Sequence, residues 1–401
     1  MDASENLKTN HPQKYFLKLI CRSLYYIGMG DYWYEKTERT KVHKKMYIVY
    51  AVLINGYLLL STLNQLLAHF RTDLTLKEKN DLIQFSLAHP SLCAKFICLF
   101  LQKDRLKVLF EKLIEGDSYT FRSLDVEKVS VKKAIRYFVA LSTGTYAAVL
   151  FSTIDGFLSS KRDGTPFQTE VSLIPTGSQL GPFWSFIRCL HVLHWWCIVT
   201  NMLLVDAISF TSLIFLGYKF RLACMYFEQL RVKTKDNCKS KSDKDCMEEY
   251  EKGLITGIKL HQDALWCART VQSSLGIIYG VQIIETTSIL VMCMIKLVAT
   301  RGSFTFLLAN FFYIACLLIL NGVYMIAAGD ITFEASPLST EIFHSGWDLL
   351  KSRRRFRTLI VLAIACSQKP VYMTAFGVIT LSHENFISVL RSSYSFFAVT
   401  Y

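Results

Sequence analysis

Apolar positions in this chain gather into continuous runs rather than alternating stripes. Six runs, at about 46–67, 82–101, 134–158, 184–215, 272–298 and 303–328, each reach the roughly 20 helical residues that cross a hydrocarbon layer. A seventh, His383–Tyr401, is interrupted by serines. Within it Ser388, Ser392, Ser395 and Val399 recur at i, i+4, i+7 and i+11 and share one helical face. Phe386, Leu390, Phe396 and Phe397 lie elsewhere around the circumference. Such a stripe can wall a narrow aqueous passage, or it can let membrane helices approach closely through small side chains. The pattern predicts an all-α fold, an integral membrane seven-helix bundle.

Between the runs the chain is polar. Residues 159–183 carry Gly164, Pro166, Pro175, Gly177, Gly181 and Pro182, a turn-rich stretch expected to cap whatever lies beneath it. Residues 231–250 are crowded with Lys, Asp and Glu and read as loop. Helical spacing resumes with Leu254, Ile258, His261 and Leu265 on one face. Ser336-Pro337 reads as a helix start, with Ser as N-cap and Pro at the first helical position. Residues 336–368 are expected to form an inward helix packed on neighbours, because their apolar part is too short to cross and Lys369-Pro370 follows.

Composition supports the membrane reading. The 401 residues are 52% hydrophobic and 19% charged, with mean hydropathy +0.29, too little charge to coat a soluble helical protein. The charge that exists is lopsided. Of the 45 Lys and Arg, 33 fall in the N-terminal 45 residues and in 102–133, 217–271 and 329–357, against six in the opposite connections. Positive charge stays inside, so the expected topology is inverted, with a cytoplasmic N-terminus and Tyr401 facing outward. The net charge of +13 is then loop bias, and no nucleic acid partner is expected. The first 45 residues are polar and basic, so no cleavable signal peptide is expected. The twelve cysteines show no metal-ligand spacing, and none lies in 68–81, 159–183 or 299–302. Neither a metal site nor a disulfide framework is expected, and Cys238 and Cys246 should be reduced.

The closing Ser393-Tyr394-Ser395-Phe396-Phe397 resembles the C-terminal signature of insect odorant receptors. Ile258-Lys259-Leu260-His261-Gln262, Trp347, and Pro370, Phe376, Phe386 and Leu390 agree in order. The resemblance implies an odorant-gated, non-selective cation channel subunit, assembled as a heterotetramer with a shared odorant co-receptor. It implies a multi-pass protein of the cell membrane in a sensory-neuron dendrite, with no cofactor and no enzymatic activity. It divides the chain into helices with an odorant pocket in their extracellular half (1–328), a cytoplasmic anchor region (329–382) and a pore-lining terminal helix (383–401). Ser388, Ser392 and Ser395 become pore-side residues, and Val399 falls at the family's hydrophobic gate, where a constriction closes by dewetting.

The ligand implied is a small, volatile, apolar molecule, which needs a dry, aromatic and sparingly polar pocket. Similar receptors bind it in the outward halves of spans two, three, four and six. Here those halves offer Phe85 and His89, then Tyr146, Phe151 and Ile154, then Trp184, His191, Trp195 and Trp196, then Phe304, Phe306 and Tyr313. The plain alternative is packing, with Trp184 as an interfacial anchor. Polar groups at membrane depth are read singly. Glu285 either tunes permeation or bonds locally; Lys95 and Asp206 are expected to pair; Asp155 is expected to be solvated; Arg391 is expected off the serine stripe. A G-protein-coupled receptor is the first rival, but it needs a cytoplasmic C-terminus, and the Asn-Pro-x-x-Tyr pattern is missing from the last helix. A membrane enzyme built on His191 and His194 lacks an acidic partner at matching depth.

Overall fold

The structure, a computed structural model, describes residues 9–36, 38–74, 76–116, 121–163, 171, 173, 181–240, 242–299, 304–350 and 354–400. The elements in order are α1 (Pro12–Tyr26), α2 (Lys41–Leu67), α3 (Leu76–Leu101), α4 (Lys103–Ile114), α5 (Leu124–Asp163), α6 (Pro182–Ser240), α7 (Asp243–Ala299) and α8 (Phe304–Ala335). There follow α9 (Leu338–Phe343), α10 (Arg354–Ser367), a small antiparallel hairpin of β1 (Thr374–Ala375) and β2 (Ile379–Thr380), and α11 (His383–Thr400). Six of these, α2, α3 and α5 to α8, are long and apolar enough to cross a membrane. The seventh, α11, has 18 residues with Glu384 and Arg391 among them and is not one of the six.

The hydrophobic runs decide which helix faces what. On α2, Ile48, Val52, Leu59, Leu60 and Leu63 are exposed, which is the lipid-facing side of a bilayer helix rather than a defect. Helix α6 is the opposite case, buried without interruption from Val205 to Gly217, and it packs on α5, α7 and α8. Glycines stand at two of the helix crossings: Gly217 of α6 lies under Ile331 of α8, and Gly144 of α5 under Cys316 of α8. Small residues at helix crossings replace the hydrophobic drive that lipid abolishes.

Charge density misleads at 231–250. Those residues are helical apart from the break between Ser240 and Asp243, so α6 and α7 run 59 and 57 residues, about 90 Å each. Their charged ends form a helical hairpin. Lys233 pairs with Glu249 at 2.7 Å, and Tyr226 donates to the Gly253 carbonyl at 3.0 Å. Gly253 and Gly257 leave room for Leu230 and Phe227. Mixed charges suit a solvated helix as well as a coil, and the partner helix decides.

The reading of 336–368 also changes. Helix α8 runs on to Ala335, and Ser336 is no N-cap: its hydroxyl donates back to the Phe333 carbonyl at 2.8 Å. The chain then breaks at Gly346, whose φ of 99° is left-handed, before a short 3-10 turn at Trp347–Leu349 and α10. Most of the turn-rich segment 159–183 lies outside the described residues.

The charged end is closed by α1. Lys14 sits 2.6 Å from Glu35 and 2.7 Å from Glu115, and Tyr34 donates to Glu115 at 2.8 Å. Burial raises both carboxyls and is the largest single influence, but the hydrogen bonds from Lys14 and from Trp33 or Tyr34, together with the charge of Lys14, outweigh it in sum and hold both below the usual carboxylate range. A depressed folded-state pKa stabilises above the ordinary value, about 4.3 for Glu, and that stabilisation is lost as pH falls through the folded pKa. Protection of the α1 amides, taken relative to the free-peptide exchange rate at the same pH, is therefore expected to be high at pH 7 and to fall below about pH 4; equal protection at both would remove the clamp from this role.

The approach to α11 is built on α7 and α8. The Gln272 side chain donates to the Thr374 carbonyl at 2.9 Å and accepts from the Thr374 amide at 2.8 Å. Phe376 follows at φ 52°, with its ring directly over Gly280. Gly322 and Gly329 then receive Phe386 and His383. Three glycines thus let the hairpin and α11 lie flush on the bundle.

Candidate ligand cavity and buried charge cluster

At the end of the bundle where α3 begins and α5 finishes lies a cavity of about 190 Å³. It is lined by stripes from α3, α5, α6, α7 and α8. Phe306, Asn310, Tyr313, Leu317 and Leu320 follow one face of α8, and Trp195, Ile198, Val199 and Met202 one face of α6. Apolar lining predominates, and an apolar cavity of about 150 Å³ holds benzene in another protein. A molecule of roughly ten heavy atoms fits.

The cavity brings together five of the aromatic residues singled out in the sequence: Phe85, His89, Trp195, Phe306 and Tyr313. Phe85 meets His89 at 5.9 Å and Trp195 edge-on at 6.4 Å between ring centroids. The others lie outside its lining. Tyr146 stacks on Trp196 at 6.0 Å and bonds Thr200 at 3.0 Å. Phe151 stacks on Phe312 at 5.4 Å, Trp184 meets Phe183 at 5.5 Å, and His191 is half-buried. Ile154 and Phe304 are exposed, the latter by 77%. Periodicity explains the difference: Tyr146 and Phe151 are each one position off Thr145 and Ser152, which do face the cavity, and one position turns a helical side chain by about 100°.

Several lining groups were read otherwise or passed over. Asp155 is buried rather than solvated and accepts from Thr305 at 2.7 Å. Lys296 pairs with Asp81 at 2.5 Å and sits 5.4 Å over the Phe306 ring. Asn310, on the same stripe as Phe306 and Tyr313, could have been found by extending that periodicity.

Glu285 lines the cavity and joins it to a buried charge cluster. Lys95 Nζ lies 3.2 Å from Asp206 and 3.2 Å from Glu285, as the expected pairing of Lys95 with Asp206 required. It also donates to Gln282, while Tyr324 donates to Asp206 at 2.8 Å. Lys95 and Asp206 are fully buried and Glu285 is 4% exposed. Two carboxylates therefore share one buried ammonium. Glu285 Oε2 is in ion-pair range but not aligned for a hydrogen bond, and neither it nor Asp206 Oδ2 has such a partner among the described residues.

On α11, Ser388, Ser392 and Ser395 are exposed, while Ser393 is buried and donates to the Val389 carbonyl at 2.9 Å. Arg391 is exposed and stands one position, about 100° around the helix, from Ser392. Val399 belongs to the helix, but its side chain lies outside the described residues.

Fold and cavity together define a multi-pass, nearly all-helical membrane protein with a predominantly apolar cavity at one end. The family follows from the sequence: the 7tm Odorant receptor family model matches residues 75–394, and the chain belongs to that family, one of receptors rather than enzymes. None of the curated proteins compared matches the sequence. Among solved structures, the chain is similar to the insect olfactory receptor OR5 from Machilis hrabei in complex with eugenol. Identity is 14%, 99% of each chain is covered and the TM-score is 0.78. A second structure of the insect olfactory receptor OR5 from Machilis hrabei gives 13% identity, coverage of 98% of this chain and 99% of that one, and a TM-score of 0.78. At that identity the likeness establishes the fold.

Proposed function

We propose that this chain is the odorant-binding subunit of an odorant-gated, non-selective cation channel, a heterotetramer with the odorant co-receptor in the cell membrane of a sensory-neuron dendrite. The observation that carries the reading is the predominantly apolar cavity, with Phe85, Trp195, Phe306 and Tyr313 on its wall, in a chain of this family, whose like-folded relative is in complex with eugenol. In this reading 1–328 hold the odorant, 329–382 anchor the subunits and 383–401 flank the pore. Phe85, His89, Trp195, Phe306 and Tyr313 contact the ligand directly; Tyr146, Phe151, Ile154, Trp184, His191 and Phe304 act on its shape from outside the cavity lining. Ser388, Ser392 and Ser395, exposed on the isolated chain, face the ion path, with Val399 as its gate. The skewed Lys and Arg distribution supports an N-terminus in the cytoplasm and Tyr401 outside.

Co-expression with the co-receptor is expected to give odorant-evoked cation currents, and this chain alone to give almost none. Epitope tags at the two termini should be accessible from opposite sides, the C-terminal one from outside. A tag at Tyr401 reached only after permeabilisation would sink the topology. A receptor at the surface that stays silent across a broad odorant panel would sink the function.

A further inference from the structure

The polar groups on the cavity wall are unevenly matched. Three carboxylates line it, Asp81, Asp155 and Glu285, against one lysine, Lys296. Asp81 is neutralised by Lys296 and Asp155 accepts from Thr305. Glu285 is only half matched, because its single cationic neighbour, Lys95, is shared with Asp206. A second acceptor stands on α8. Asn310 donates its amide N–H to the Phe306 carbonyl at 2.9 Å; a carbonyl can only accept, so the NH₂ group is fixed there and Oδ1 is turned away from it. Of the donors on the wall, Lys296 is committed to Asp81, Thr145 to the Leu141 carbonyl at 2.8 Å and the Gln84 amide to Cys293 at 3.5 Å; the Ser152 and Tyr313 hydroxyls and the Trp195 indole N–H also line it, and the two hydroxyls can accept as well as donate.

Acceptors without donors are costly when dry, so this wall favours a molecule that brings its own donor. We propose that the cavity selects small apolar molecules bearing an O–H or N–H group, with Glu285 as the principal acceptor and Asn310 as the second. Ethers, esters and hydrocarbons of the same skeleton leave the carboxylate desolvated and unmatched, and a site built for a polar group rejects analogues that lack it far more strongly than analogues merely too small. The proposal rests on the odorant-binding reading and supplies the ligand chemistry that shape alone does not.

The test uses the full-length chain co-expressed with the co-receptor. Matched sets on hexyl, benzyl and 2-phenylethyl skeletons are applied as alcohol, primary amine, methyl ether and acetate ester. The donor-bearing members are expected to act at concentrations roughly tenfold or more below the ether and the ester, the loss typical of a hydrogen bond to a charged group. The amine arm separates a cation filling the charge deficit from a neutral donor. Glu285→Gln should narrow the gap between alcohol and ether and remove any advantage of the amine. Because that change also disturbs Lys95, Asn310→Leu, outside the charge cluster, gives an independent arm and should narrow the same gap by a smaller factor. Ethers as potent as alcohols on the unmodified receptor would overturn the inference and leave the receptor reading intact. A gap unchanged in both variants would overturn it too. Silence towards every compound, with surface expression verified, would overturn the receptor reading and this inference with it.

Discussion

Lys95→Met is expected to lower the stability of the folded bundle by about 3–5 kcal/mol, the usual cost of removing one partner of a buried charge pair. Methionine keeps nearly the length and volume of the lysine stem, so the packing loss is small. What is lost is the only cation within ion-pair range of Asp206 and Glu285 among the described residues, together with a donor to Gln282. Two carboxylates would then be left at the cluster without a cation. Such a loss is a large share of the 5–15 kcal/mol that ordinarily separates folded from unfolded. The triple change Lys95→Met, Asp206→Asn, Glu285→Gln removes every charge of the cluster and should recover most of the stability, since charge-free replacements of buried ion pairs are often neutral or better. Thermal unfolding of the detergent-solubilised protein separates the cases. A single variant melting with the parent would show that water enters the cluster and that the charges are not buried in any energetic sense.

The same cluster shows where sequence reading succeeds and where it stops. That Lys95 and Asp206 pair was legible, because ions at membrane depth need each other and depth follows from position along a span. That Glu285 joins them was not, because rotation of α7 about its axis is invisible in a helix apolar on nearly all sides. The six spans were legible for a related reason: hydropathy registers burial in lipid, and five runs fall inside observed helices, as does the sixth from Phe304 onward. Hydropathy is blind to what continues beyond the membrane. The charged ends of α6 and α7 are helical because Gly253 and Gly257, four apart on one face, admit Leu230 and Phe227 from the partner. That glycine pair was the available signal at 231–250, and charge density obscured it. In the cavity, the aromatic residues on a common stripe, such as Phe85 with His89 and Phe306 with Tyr313, came together, whereas Tyr146 and Phe151 turned away. Depth was readable from the sequence; azimuth was readable only where several candidates shared one helical period.

Azimuth also governs the second large effect, at Gly280. Helix α7 carries both Glu285 of the cavity and the seat of the hairpin that leads into α11. A Cβ at Gly280 would stand 2.3 Å from the Phe376 ring, so Gly280→Val must expel that ring. Phe376 is already held at a left-handed φ of 52°, a conformation costing about 1–2 kcal/mol that persists only while surrounding contacts over-determine it. With the ring expelled, the hairpin keeps its two bonds to Gln272 but loses the contact that fixes its height on α7. Overpacking of this kind costs about 1–3 kcal/mol, which is roughly a 5- to 150-fold shift in the equilibrium that seats α11. If the proposed channel reading holds, odorant-evoked current in the Gly280→Val receptor should fall by at least about tenfold, while ligand-induced thermal stabilisation, which reports the cavity alone, stays near that of the parent. Gly280→Ala with Phe376→Gly, which removes the obstructing ring and admits the left-handed backbone freely, should restore surface expression but not the contact, and so leave current low. Full current in Gly280→Val would mean that α11 is positioned by neighbours other than α7.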